Sequence, residues 1–255
     1  RTDPRLGPLG LDLLRSGRSA QETVSSIVAS TPHSAWRQLG ALTADLEAWP
    51  DGPRTNADAA LRSIGLGLVD ELVEAASHLD GAVRVAAVRL LVRLDHEDAV
   101  EAVASALSSP PASVQRAALE ALSEATRAPT GLVVERLAQI VRDHRDWSMR
   151  TRAASALGRS ADGSARAALR EALARDPYAF VRQAAAGALA GGLEAEDVAA
   201  LEAALDGDDE PRVRAAAARA LIAAGGEAEA RARRRAARDR SPLVRSAPET
   251  EPAIR

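Results

Sequence analysis

Five times in this chain an apolar residue is followed by alanine four places on and leucine eight places on. The sets are Val83, Ala87, Leu91; Val114, Ala118, Leu122; Met149, Ala153, Leu157; Val181, Ala185, Leu189; and Val213, Ala217, Leu221. Successive starts lie 31, 35, 32 and 32 residues apart, and Val244 follows Val213 by 31. Steps of four and eight place the three side chains on one face of an α-helix. A second apolar-periodic segment precedes each set, at 69–79, 99–107, 132–141, 165–173 and 198–205. Each unit therefore reads as helix, turn, helix. One such hairpin cannot cover its own apolar stripe, so neighbouring hairpins must stack.

Composition agrees with a helical chain. Alanine, leucine, arginine and glutamate dominate and aromatics make up 2%, a mixture that favours helix at almost every position. A core of alanine and leucine also lets helix axes approach closely. At 255 residues one or two domains are expected. The absence of cysteine removes disulfides, thiolate metal sites and cysteine nucleophiles. No apolar run approaches the length of a membrane span, so a cytoplasmic protein without membrane association is expected. A net charge of −3 argues against a protein built wholly for nucleic acid. All 33 basic residues are arginine. That reads first as the codon bias of a GC-rich genome, and only second as a demand for bidentate contacts.

A second register runs through the repeats. After each apolar start comes Arg84, Gln115, Arg150, Arg182, Arg214 or Arg245, and six places before those stand His78, Ser109, His144, Asp176, Asp208 and Asp239. Polar groups there can cap helices or pair with the arginine of the same or the next repeat. Over roughly residues 58–245 this pattern resembles the HEAT family, where an aspartate in the inter-helix turn and an arginine early in the second helix form a ladder. The short period is similar to that of bacterial HEAT units grouped with phycobilisome lyases. The resemblance implies an all-α fold, a right-handed α-solenoid of stacked helix-turn-helix repeats. It also implies a structural ladder through Asp176, Arg182, Asp208, Arg214, Asp239 and Arg245. The first three repeats depart from the aspartate–arginine pattern.

Trp49-Pro50-Asp51-Gly52-Pro53 is the clearest break, because two prolines and a glycine cannot continue a helix. The expected division is a helical N-terminal segment over residues 1–50, a solenoid over 51–247 opening with a helix at 57–68, and a C-terminal tail over 248–255. Within the N-terminal segment helices are expected at 9–15 and 20–29, the second with Ser19 and Glu22 as a capping box. Gly7-Pro8, Gly10-Leu11, Leu13-Leu14, Gly17, Ser19-Ala20, Glu22 and Arg37-Gln38-Leu39-Gly40 are similar to an internal stretch of an uncharacterised bacterial family related to N-terminal-nucleophile hydrolases. In that family the proposed nucleophile would lie before Arg1, so the resemblance assigns no catalytic residue here.

Candidate chemistry is sparse. His78 and His144 occupy the turn position held elsewhere by aspartate and read as caps, and neither they nor His33 and His96 show a paired metal-ligand spacing. HEAT proteins resembling deoxyhypusine hydroxylase repeat histidine-glutamate pairs at second-helix starts to build a di-iron site. Here His96-Glu97 occurs once, between repeats. No nucleophile elbow, phosphate loop or metalloprotease spacing is present, so neither catalysis nor a cofactor or metal is expected. Gly191-Gly192 and Gly225-Gly226 read as helix terminators. Trp147, Tyr178 and Phe180 are placed in the turns before second helices and read as packing residues at repeat junctions, with an exposed hot spot as the alternative.

Charge is more informative. Residues 194–210 carry eight acids and no arginine, whereas 212–245 carry ten arginines against Glu227, Glu229 and Asp239. Arg231, Arg233, Arg234, Arg235 and Arg238 wrap around one helix. They read as a solvated face paired with the acidic segment, with polyanion contact as the alternative. Outward positions on the second helices include Arg89, Arg93, Arg116, Glu120, Arg159, Gln183 and Arg219, on what would be the concave surface. Their mixed signs favour a protein partner. The expected function is a protein-binding scaffold. The alternatives are nucleic-acid binding through the arginine block, or a regulatory appendage of a hydrolase-like enzyme.

Overall fold

A computed structural model of the chain describes residues 69–94, 96–125 and 127–247. The expectations for the N-terminal segment, the Trp49–Pro53 break, the opening helix and the tail lie outside those residues. The chain divides into two compact units, residues 1–127 and 128–255. The division falls inside the repeat whose period is 35 residues instead of 31 or 32.

The described part of the first unit holds α1 (Val69–Ala75), α2 (Gly81–Leu94), α3 (Ala99–Ala106) and α4 (Ala112–Glu124). The second unit holds α5 (Gly131–Asp143), α6 (Trp147–Leu157), α7 (Gly163–Arg175), α8 (Ala179–Ala188), α9 (Ala195–Gly207), α10 (Pro211–Ala224), α11 (Gly226–Ala236) and α12 (Pro242–Arg245). Every regular element among the described residues is a helix. Odd-numbered helices are the first of each hairpin and even-numbered helices the second.

The packing is layered within each unit. In the second unit α6 packs on α8, α8 on α10 and α10 on α12, while α5, α7, α9 and α11 form a parallel row beside them. In the first unit α2 packs on α4 and α1 on α3. The recurring alanine is the contact that sets this spacing. Ala87, Ala118, Ala153, Ala185 and Ala217 are all fully buried, as are Leu91, Leu157, Leu189 and Leu221. Each leucine removed from water contributes about 1.5–3 kcal/mol, and the alanines let the axes approach.

Helix ends follow from the sequence. Asp146 and Asp162 accept the backbone N–H groups of Ser148 and Ser164 at 2.8 Å, and Pro211 and Pro242 open α10 and α12. Gly225 and Gly226 have φ of +76° and +62°, a left-handed conformation that reverses the chain between α10 and α11 and strains other residues. The apolar run at 69–79 ends sooner than its pattern suggests. Helix α1 stops at Ala75, and Leu79 stands in the turn, 98% exposed. The repeat begun at Val244 is a single turn, with Val244 and Ala247 buried beneath it.

Candidate functional site: the second-helix face

Two of the four sides of a second helix are covered by its neighbours in the same row and a third by the first helices. Six of the seven sequence-derived binding residues lie on these helices, whereas Arg159 falls in the turn beyond Leu157, the last residue of α6, and the +2 position of α10, Ala215, is buried. Counted from the apolar start of each repeat, Arg116 and Gln183 stand at +2, Arg89, Glu120 and Arg219 at +6, and Arg93 and Arg159 at +10. Those offsets trace one stripe along a helix. Arg116 is exposed and the other six are half-buried. Arg89 and Glu120, 31 residues apart, meet across neighbouring repeats at 3.3 Å.

In the second unit this face has a character of its own. Helices α6, α8, α10 and α12 contain no aspartate or glutamate, while Arg152, Arg212 and Arg219 reach their surface. At the N-terminal edge stand Trp147, Tyr178 and Phe180, 39%, 48% and 48% exposed. The Trp147 ring stacks on Tyr178 at 6.2 Å and on Phe180 at 5.2 Å. Arg150 lies over Tyr178 and Arg212 over Phe180, at 5.4 and 4.5 Å. These residues were expected in the turns as packing groups at repeat junctions, with an exposed hot spot as the alternative. Tyr178 stands in the turn before α8, while Trp147 opens α6 and Phe180 lies within α8, and all three rings remain open to water.

Behind this face runs the ladder. Arg150 grips Asp176 through Nε and Nη2 at 2.7 and 3.0 Å, Arg182 grips Asp208 at the same distances, and Arg214 grips Asp239 at 2.8 and 2.9 Å. Each arginine therefore reaches the aspartate of the next repeat, settling the choice between same and next. Nη1 meanwhile donates to the turn carbonyl of its own repeat, that of His144, Asp176 or Asp208. Each aspartate accepts one more N–H, from Tyr178, Glu210 or Ser241. Bidentate charged contacts of this kind are among the stronger hydrogen bonds. The carboxylates raise the pKa of Arg150, Arg182 and Arg214, and the Arg214 hydrogen bond holds Asp239 below its ordinary value. Arg245 closes the series by donating to the carbonyls of Asp239 and Arg240.

Arg150 joins this ladder although its own turn carries His144 in place of aspartate. The turn needs only to offer a carbonyl, and the His144 ring accepts the Asp146 N–H as an aspartate would. In the first unit the pattern fails for a physical reason. The register position in the turn after Arg84 is Ser109, which carries no charge, and the buried Nε of Arg84 has no hydrogen-bond partner.

A second network was not visible from the register of the second helices. Asp197, fully buried at the start of α9, accepts from Arg166 Nε at 2.7 Å, Arg170 Nη1 at 2.8 Å and the Glu194 N–H at 2.9 Å. Arg166 also donates to the carbonyl of Gly191 at 2.8 Å. Burial pushes Asp197 upward, but the hydrogen bonds and the arginine charge outweigh it and hold its pKa below the usual value. Arg166 and Asp197 are 31 residues apart, one period along the first helices, but the pair does not recur in neighbouring repeats, so the sequence register does not reveal it.

The arginine block is largely spoken for. Arg231 pairs with Glu202 at 2.7 Å and Glu227 at 3.3 Å, and Arg233 with Glu229 at 2.7 Å. Arg235 lies 3.4 Å from both Glu202 and Asp206, although its Nη1 makes no well-aligned hydrogen bond. Arg234 and Arg238 remain exposed.

A sequence profile for HEAT repeats matches residues 69–132 and 134–222. The chain belongs to the HEAT-repeat family. Among solved structures, an engineered protein is similar at 19% identity with a TM-score of 0.47, covering 89% of this chain and 96% of its own. Human deoxyhypusine hydroxylase, solved with glycerol, is similar at 22% identity with a TM-score of 0.40, covering 95% of this chain and 96% of its own. No curated protein matches the sequence. HEAT repeats serve generally as protein-interaction scaffolds, and among the described residues no helix is long and apolar enough to cross a membrane.

Proposed function

We propose that this protein is a scaffold without catalysis of its own, and that it binds a protein partner on the open face of its second helices. The observation that carries the reading is a division of labour among side chains. Arg150, Arg182 and Arg214 at +1 are consumed by the ladder and the Val, Ala and Leu positions by the core. The stripe at +2, +6 and +10 serves neither purpose as a whole. Its 31–35-residue period supports the short bacterial type of HEAT unit, and a cytoplasmic location follows for a chain of this composition.

The arginine block supports the nucleic-acid reading less well, because Glu202, Asp206, Glu227 and Glu229 already neutralise most of it. Affinity capture from a native lysate, with and without nuclease, tests the choice. A stoichiometric protein that survives nuclease and is lost with R89E/R116E or with R159E/R219E is expected. Retention only of nucleic acid, or a protein partner indifferent to both variants, would overturn the reading.

A further inference from the structure

The chain has five aromatic residues in all, and among the described residues the largest fully buried side chains are leucines and one methionine. Yet Trp147, Tyr178 and Phe180 come from two successive repeats to form one exposed stack. Aromatic residues and arginine are the types that dominate binding energy at protein interfaces. Each ring is engaged by two neighbours, Trp147 by the other two, Tyr178 by Trp147 and Arg150, and Phe180 by Trp147 and Arg212. That arrangement suits an apolar side chain laid against ring edges better than a nucleobase, which needs an open ring face.

Charge selects the rest of the occupant. The four second helices of this unit carry no acid. Acids near the aromatic edge lie in the turns. Asp146 is occupied in capping, Asp176 and Asp208 in the ladder, Glu210 lies 3.9 Å from Arg212, and Asp209 beside it is exposed. Beyond the aromatic edge, Ser155 and Gly187 occupy the +6 positions of α6 and α8 that Arg219 occupies on α10. The face therefore has an aromatic ridge with Arg212 upon it, Arg219 further along α10, and small side chains at the matching positions of α6 and α8.

Resting on the scaffold reading, we infer that this face of residues 128–247 holds an extended acidic segment of a partner protein. One apolar side chain of that segment lies against Trp147 and Phe180, and its carboxylates meet Arg212 and Arg219. Potentials of opposite sign would speed the encounter and fix the register.

The test uses the full chain as bait for a displayed library of random twelve-residue peptides. Expected are peptides rich in Asp and Glu around one aromatic or leucine, whose synthetic forms bind tenfold or more weakly to W147S/F180S and to R212E/R219E. Binding should weaken as salt rises. Circular dichroism melts of both variants show whether the helical array is retained, and the second variant leaves the aromatic residues in place. No enrichment, enrichment of basic or uncharged peptides, or peptides indifferent to both variants would overturn the inference. So would labelled (dT)20 binding at the same residues with equal or higher affinity. A lysate partner lost with R89E/R116E but unaffected by W147S/F180S would sink this inference while leaving the scaffold reading standing.

Discussion

At the scale of single residues, Asp197 is the most consequential side chain for stability. It is fully buried with two arginines of the preceding repeat upon it, and removing one member of such a cluster leaves an uncompensated buried charge. Asp197→Asn is therefore expected to destabilise the second unit by about 3 kcal/mol, measured by urea unfolding at pH 7. The effect has a definite pH dependence. The folded pKa of Asp197 is lowered, so its contribution is fully present above the unfolded aspartate value of about 3.9. It disappears as pH falls through the lower folded value. The gap between wild type and variant should accordingly hold from pH 7 to pH 5 and close in acid. A gap unchanged at pH 2.5 would mean that the ionised carboxylate is not what Asn fails to replace.

At the scale of elements, close approach governs. A Cβ added at Gly158 would stand 2.6, 2.7 and 2.9 Å from the Cβ, Cα and carbonyl oxygen of Ala188, so the end of α6 passes α8 with no room for a methyl group. Gly158→Ala should lower stability by about 1–3 kcal/mol. Gly187, inside α8 and exposed, has nothing within 4 Å of the same position, so Gly187→Ala should raise it by about 0.5–1 kcal/mol. Opposite shifts in melting temperature for two glycine-to-alanine changes check the pair, and equal signs would refute the packing argument.

Much of this level could be read from the amino acids. Val181, Ala185 and Leu189 announce their helix face because burial repeats with the helical period. Arg182 and Asp208 announce a ladder because each recurs with the repeat. Arg166 and Asp197 do not recur, so no register exposes them. The exposure of Trp147 and Phe180 is only the second of two readings, since hydrophobicity alone points inward.

For the molecule as a whole, stability in a repeat protein is a sum of repeat and interface contributions, and the two units differ in the second kind. Arg150, Arg182 and Arg214 each tie one repeat to the next, whereas the register counterpart of those aspartates for Arg84 is Ser109, and the buried Nε of Arg84 is unsatisfied. The ladder fails there for want of one carboxylate. Hydrogen exchange should therefore show the amides of α8 and α10 opening less often than those of α2 and α4. Ser109→Asp should narrow the difference. Ser109 stands five residues before Val114, as Asp208 stands five before Val213, so an aspartate there would face Arg84. Pro111 has no N–H to donate to the new carboxylate, unlike Glu210 opposite Asp208. The gain is accordingly limited to the arginine contact, about 1–2 kcal/mol for a charge-assisted hydrogen bond that also satisfies a buried donor. Slower exchange in α2 and α4, with α8 and α10 unchanged, is the expected result. Combining Ser109→Asp with Arg84→Gln should abolish it, because a gain that survived the loss of Arg84 would come from something other than the ladder.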